Sequence, residues 1–282
     1  MHRLQSQKGF TLVEVAVIAP IIILLIGAFI ALTINLAGEA LSSHATDKIS
    51  YDVQNTLNRI EEDVKISRAF LAENNISVSS SGQGYGDQAS SGSTVNFTNI
   101  NNPSGSFASI IIEGIATTQR PLTPASNVVY LADAPNDCSD SNQYKSNTPM
   151  PINIVYFVDA NNTLWRRVII DPAHTSGSAV CGDPAWNLAT CKPGYSAGSR
   201  PHCKANDEKL IEGVSANDFQ FSYFNSPGSS SPNLAAKDAG TNAEGRNQAL
   251  LETNTIKITI QSNQTVAGRD ISQSGSVLAT RL

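Results

Sequence analysis

Hydrophobic positions change period along this chain, and each period predicts a different element. From Val15 to Gly38 there are 24 consecutive residues without a charge, and from Val15 to Leu32 none is polar. As a helix this run would be ~36 Å long, more than the roughly 30 Å apolar core of a bilayer. It exceeds the apolar core of a cleaved secretory signal, which has about 7 to 15 residues before a small-residue cut site. Beyond Leu41 the chain turns polar, yet Ile49, Val53, Leu57, Ile60, Val64 and Leu71 recur at mostly three- or four-residue spacing. That is one apolar stripe of an amphipathic helix. Asp47, Lys48, Asp52, Arg59, Glu61, Glu62, Lys65 and Arg68 supply its solvated face. Joined, the halves predict one helix from about Phe10 to Leu71, with Gly38 and Ser42-Ser43 as points of flexure. Pro20 lacks a backbone donor and clashes with the turn before it, so a kink or melted stretch is expected over Val17 to Ile21.

Downstream the pattern has period two or falls into short apolar runs. Ser109 to Ile112 and Val128 to Leu131 read as short strands, and Ile152 to Val158 and Leu164 to Ile170 flank the turn Asp159-Ala160-Asn161-Asn162 as a hairpin. In Asp218 to Asn225, Phe219, Phe221 and Tyr223 alternate with Gln220 and Ser222; in Thr255 to Gln261, Ile256, Ile258 and Ile260 alternate with Thr and Lys. An antiparallel sheet with one buried face gives this alternation, and the apolar stripe of the helix is its natural cover. The fold class expected is therefore α+β. Residues 77 to 106 and 226 to 247 are rich in Ser, Gly and Asn and read as surface loops. The Gly82-Gln83-Gly84-Tyr85-Gly86 run lacks the buried strand and following helix that a nucleotide fingerprint requires.

Composition narrows the function. The 282 residues are 40% hydrophobic, 15% charged and 6% aromatic, enough for one sizeable domain plus an appendage. Nineteen Lys and Arg against 24 Asp and Glu give a net charge of −5, which argues against a broad electrostatic grip on nucleic acid or anionic lipid. The leader Met1 to Gly9 carries Arg3 and Lys8 and no acid, so the positive-inside rule keeps it in the cytoplasm and sends the bulk of the chain across the membrane. That places Cys138, Cys181, Cys191 and Cys203, none of them in a C-x-x-C pair, where disulfides persist. Four cysteines allow three connectivities. If Val128 to Leu131, Ile152 to Val158 and Leu164 to Ile170 form a meander, the exits of its outer strands share a sheet end, favouring Cys138 with Cys181 and Cys191 with Cys203.

Little in the sequence suggests catalysis. His2, His44, His174 and His202 are scattered, there is no H-E-x-x-H or G-x-S-x-G, and Asp133, Asp137 and Asp140 lack the rest of a calcium loop. No enzyme activity, metal or cofactor is expected. The stretch Cys191 to Cys203 gathers Lys192, Arg200 and His202 around Tyr195 with no acid, a combination able to touch phosphate and stack on a base, or simply a pinned surface loop.

Glu14 does not fit a simple anchor, because a carboxylate in lipid costs roughly 2.5 to 3.5 kcal/mol at the helix centre on insertion scales. With Lys8-Gly9-Phe10-Thr11-Leu12-Val13-Glu14 ahead of a long apolar helix, the chain resembles the N-terminus of a type IV prepilin. In that family a membrane peptidase on the cytoplasmic side cuts after the Gly, the exposed Phe is N-methylated, and the Glu fifth in the mature chain meets the terminal amine of a neighbouring subunit. The resemblance implies cleavage between Gly9 and Phe10, methylation of Phe10, and an assembly role for Glu14. Either charge alone would be penalised among apolar helices, so pairing amine with carboxylate selects one register. Many members carry a proline near the middle of this helix; Pro20 comes only about three turns after Phe10.

Further along, Tyr156-Phe157-Val158, Leu164-Trp165-Arg166-Arg167, Glu212-Gly213-Val214, Phe219-Gln220-Phe221-Ser222-Tyr223 and Val277-Leu278-Ala279-Thr280-Arg281 look like minor pilins of the PilW type and J-type secretion pseudopilins. The resemblance divides the chain into a leader (1–9), a transmembrane and filament-core helix (10–41), an amphipathic half (42–72) and a β-rich globular domain (73–282). It implies a pilin-like fold, a long helix packed on an antiparallel sheet. The function implied is that of a subunit of a type IV pilus or type II secretion-like filament, acting in assembly initiation or at the tip. Its partners would be other pilin or pseudopilin subunits, the prepilin peptidase, the inner-membrane assembly platform and, as a single-pass protein before assembly, the cytoplasmic membrane. The competing expectation is a filament-tip binding module, an adhesin or DNA-uptake receptor, with the Lys192 to His202 loop as its contact.

Overall fold

A single helix, α1, runs from Leu12 to Lys65 and carries the first half of the predicted pattern almost unchanged. The computed structural model describes residues 12–72, 74, 76, 109–117, 128–130, 149–170, 189–191, 193, 205–228, 250–251 and 253–281. The chain divides into two contact units: one holds the helix through Lys48 together with Thr265–Ile271, the other holds Ile49–Gln264 and Ser272–Leu282.

In the second unit the expected stripe is buried: Ile49, Val53, Leu57, Ile60 and Val64 all lose their solvent. Leu71, expected on the same helix, belongs instead to a strand. The helix stops at Lys65 because the next turn offers Ser67 and Arg68 where an apolar residue would have to be, and Ser67 folds back. Its backbone N–H and its hydroxyl both donate to the Val64 carbonyl, at 3.0 and 2.7 Å. Strand β1 follows at Ala69–Leu71 and pairs antiparallel with β2, Ser109–Ile115.

With β3 at Pro151–Val158, β4 at Thr163–Ile169 and β7 at Glu208–Glu212, these strands form an antiparallel five-stranded sheet in the order β1-β2-β3-β4-β7. The β3–β4 hairpin turns where its sequence predicts. Asn162 takes a positive φ of 58°, and Asp159 accepts the N–H groups of Asn161 and Thr163, each at 2.9 Å. Register puts Ile112, Ile154 and Val168 in one row on one face, and Ile110, Tyr156 and Arg166 in the next. On the opposite face Ile111, Val155, Phe157, Arg167 and Ile169 are buried as well. One buried face was expected, and this sheet has two. The near-continuous run Ile152-Asn153-Ile154-Val155-Tyr156-Phe157-Val158 is the pattern of a strand covered on both sides, not of a half-exposed one.

A second antiparallel sheet, in the order β10-β9-β8, keeps the expected one-sided pattern, with β8 at Phe219–Phe224, β9 at Thr255–Val266 and β10 at Arg269–Thr280. Ile256, Ile258 and Ile260 point inward with the row Phe219, Phe221, Tyr223, whose rings lie 5.6 and 5.9 Å apart in succession. Tyr223 reaches Phe70 of β1 at 5.1 Å, so the aromatic row of one sheet touches the other. Gly275 of β10 lies against α1, where a Cβ would come within 2.8 Å of both Val53 and Leu57.

The Thr255–Gln261 strand extends to Val266, then turns back through Ala267 and Gly268, whose φ values of 51° and 76° make a two-residue hairpin loop. β5 and β6, Thr190–Cys191 and Ala205–Asn206, form a short parallel pair. The strand expected at Val128 to Leu131 is absent from the described residues there; only isolated bridges join Val128 to Thr117 and Tyr130 to Pro149. The meander is therefore β2-β3-β4, which removes the premise that favoured Cys138 with Cys181 and Cys191 with Cys203.

Candidate functional site

The N-terminal part of α1 is built from side chains that shun water and are nevertheless exposed around the helix, from 42% at Ile18 to 87% at Leu12. Val13, Val17, Ile22, Leu24, Leu25, Phe29 and Leu36 are all exposed, where the core helix of a soluble protein would bury them. Among the described residues this is the one helix long and apolar enough to cross a membrane. Glu14 lies in its first turn and is the only charged residue between Leu12 and Gly38. A carboxylate there is also favoured by the partial positive charge of the helix N-terminus.

The melted stretch expected over Val17 to Ile21 is not found, because α1 continues through Pro20. A proline removes one backbone bond, and long apolar helices absorb such a loss. Gly38 and Ser42-Ser43 are helical too, and the Thr46 hydroxyl donates to the Ser42 carbonyl at 2.8 Å inside that stretch.

Gly9 and Phe10 lie outside the described residues, as do Cys138, Cys181, Cys203, Lys192, Tyr195, Arg200 and His202. Cys191 is described only as backbone, in β5.

A second constellation, which sequence reasoning missed, is ionic and buried. Arg166 and Arg167 are neighbours on β4, so the pleat sends them to opposite faces of the sheet. Arg166, 4% exposed, donates its Nε to Asp63 of α1 at 2.7 Å and its Nη2 to the other carboxylate oxygen at 3.4 Å. The Tyr156 hydroxyl donates to Asp63 Oδ2, the oxygen that also accepts Arg166 Nε. At the rim Glu208 of β7 joins, 3.7 Å from Arg166 and 3.3 Å from Arg59. A shallow open cleft lined by Asn55, Asn58, Arg59, Glu62, Glu208 and Leu210 lies at this rim.

On the other face Arg167, 1% exposed, chelates Asp207, with Nε 3.0 Å from both carboxylate oxygens, and lies 5.5 Å over the Phe157 ring. Thr190 donates to Asp207 at 2.8 Å and accepts the Val168 N–H at 2.9 Å, tying β5 to β4. The signal in the sequence was faint: Arg166-Arg167 stands inside an apolar strand, and Asp63 sits between Ile60 and Val64 at a stripe position.

Chemically this network is a clamp. Asp63, Asp207 and Glu208 each face a guanidinium, and among the described residues no group of three or more His, Cys, Asp or Glu could hold a metal ion. Arg281 makes a third junction. Its guanidinium donates to the carbonyls of Arg68, Leu251 and Thr253 and lies 5.4 Å over the Phe70 ring, and burial lowers its pKa from the ordinary arginine value. Compared with protein-family models, with curated proteins and with solved structures, the chain gives no match.

Proposed function

We propose that this chain is a membrane-anchored subunit of a type IV pilin-like filament, a minor pilin or pseudopilin acting in assembly initiation or at the tip. One observation carries the reading: an apolar helix, exposed around its circumference, holds a single carboxylate at Glu14, five residues into the chain that cleavage after Gly9 would leave. Such a helix needs lipid before assembly and other apolar helices after it, and the same α1 continues into a half that packs on a sheet. In this reading the Phe10 amine of one subunit meets Glu14 of the next. The globular domain lies outside the cytoplasmic membrane, and the prepilin peptidase and the assembly platform handle the chain on the way.

Mass spectrometry of protein extracted from membranes tests the reading. An N-terminal peptide beginning with methylated Phe10 is expected in cells with an active prepilin peptidase. An intact Met1 terminus in such cells would sink it.

A further inference from the structure

Among the described residues, the strand β10 has an edge that the rest of the fold leaves open. Among the described residues its hydrogen-bonded neighbour is β9 alone. The two-residue loop fixes the register: Val266 faces Arg269, and the Arg281 N–H donates to the Asn254 carbonyl at 2.8 Å. Odd-numbered residues of β10 thus spend their backbone groups on β9, and the even-numbered ones, Ser272, Ser274, Ser276, Leu278 and Thr280, direct theirs away from it. Ser272, Ser274, Ser276 and Leu278 are exposed. From Ser272 to Thr280 this row spans ~27 Å at about 3.4 Å per residue.

Long open edges are normally blunted by charge, proline, a bulge or brevity. The other edges here follow that rule. β7 carries Glu208, Lys209 and Glu212, β1 has three residues, and β8 has six. β10 has twelve residues, and from Ile271 to Thr280 it holds no charge and no proline. Its inward side is already fixed by Gly275 against Val53 and Leu57, so what stays available is the edge itself.

We infer that this edge pairs antiparallel with β10 of a second copy of the chain. Self-pairing sets a condition that an ordinary edge fails: each residue near the centre meets itself or its near neighbour, so any charge there would face its own kind. Ser272 to Thr280 satisfies that condition throughout. Centred on Ser276, the pairing opposes Ser274 to Leu278 and Ser272 to Thr280, with small side chains at most contacts and both sets of open backbone groups satisfied. An edge contact of this size falls below the roughly 1,200 Å² of a stable standard interface. It is therefore a weak dimer in dilute solution, strengthened where copies share one membrane.

Amide hydrogen exchange of the full chain in detergent, measured at low and high protein concentration, tests the inference. The amides of Ser274, Ser276 and Leu278 should slow by about tenfold or more at high concentration, while those of Gly275 and Val277 stay protected throughout by β9. Ser274→Pro removes an outward N–H only, and Ser276→Lys sets like charges against each other at the centre. Both should abolish the concentration dependence, and retained exchange protection at Gly275 and Val277 in Ser276→Lys would show that the chain's own sheet is intact. Outward amides that exchange equally fast at every concentration would overturn the pairing, as would a concentration dependence that survives both substitutions. Protection that appears only on adding a different protein would overturn the choice of a second copy.

Discussion

Asp63 and Arg166 lie 103 positions apart in sequence and 2.7 Å apart in space, both almost without solvent, one on the helix and the other on the sheet it covers. Removing one member of such a pair leaves a buried charge uncompensated, at a cost of about 3 to 5 kcal/mol, whereas replacing both with apolar groups of similar volume is often neutral. Asp63→Ala should therefore lower the melting temperature of the full chain in detergent sharply, and Asp63→Leu combined with Arg166→Met should recover most of the loss. If the double variant melts as low as the single one, the network's value lies in its hydrogen bonds, including that of Tyr156, rather than in charge balance.

Two glycines with nearly equal φ should respond very differently to alanine. Gly213 and Gly268 have φ of 75° and 76°, but a Cβ on Gly213 would stand 2.4 Å from the Asn263 carbonyl oxygen, while one on Gly268 would meet nothing within 4 Å. Gly268→Ala then costs only the backbone penalty of about 1 kcal/mol. Gly213→Ala adds a clash with backbone at the contact where Asn263 N–H donates to the Gly213 carbonyl at 2.7 Å, and should exceed about 2 kcal/mol. Chemical unfolding of the two variants side by side provides the measurement, and equal losses would refute the steric part.

This contrast also shows what the sequence could and could not reveal. Local chemistry was legible: the helix stripe from Ile49 to Val64, the Asp159 to Asn162 turn, and the alternating rows at Phe219 and Ile256 all act within a few residues of themselves. β10 was mostly illegible, because its inward residues Gln273, Gly275 and Ala279 carry little strand preference and owe their place to β9 and α1. β7 reads as a charged surface segment until Ile211 finds Leu164 across the ladder. The buried ion pairs stayed hidden for the same reason, since an aspartate on a helix looks solvated until a distant arginine is placed beside it. The long apolar helix was legible from composition alone, whereas the assembly role of Glu14 rests on the resemblance of Lys8 to Glu14 to a prepilin N-terminus.

Arg281 gives a prediction about geometry rather than charge. Its planar fork meets three backbone carbonyls at once while lying over Phe70, an arrangement that a lysine ammonium cannot reproduce. Arg281→Lys should therefore destabilise nearly as much as Arg281→Met, by about 1 to 3 kcal/mol as the carbonyls lose their donors. Because burial lowers its pKa, protonation of this group opposes folding, and stability would rise only as pH approaches that pKa. An arginine stays protonated under ordinary conditions, so Arg281 should add no pH dependence near neutrality. Full rescue by lysine would show that positive charge alone is required.

Under the proposed filament role, substitution of Glu14 should separate membrane insertion from assembly. In lipid its carboxylate is a cost of roughly 2.5 to 3.5 kcal/mol if it reaches the helix centre, and less nearer the membrane face. Glu14→Ala should therefore insert at least as well as the parent chain. Cleavage after Gly9 should be largely unaffected, because the substitution leaves the Gly9-Phe10 junction and its basic leader in place. Under the proposed pairing, the variant loses the partner for the Phe10 amine of a neighbouring subunit, so a newly buried amine would stand uncompensated among apolar helices. Incorporation into filaments should fall while the membrane pool of processed protein rises, read by immunoblotting sheared filaments against membranes. Glu14→Asp tests the geometry, since it keeps the charge but shortens its reach by one methylene. Partial incorporation by Glu14→Asp with none by Glu14→Ala would match the pairing, and normal incorporation of Glu14→Ala would remove Glu14 from the assembly contact.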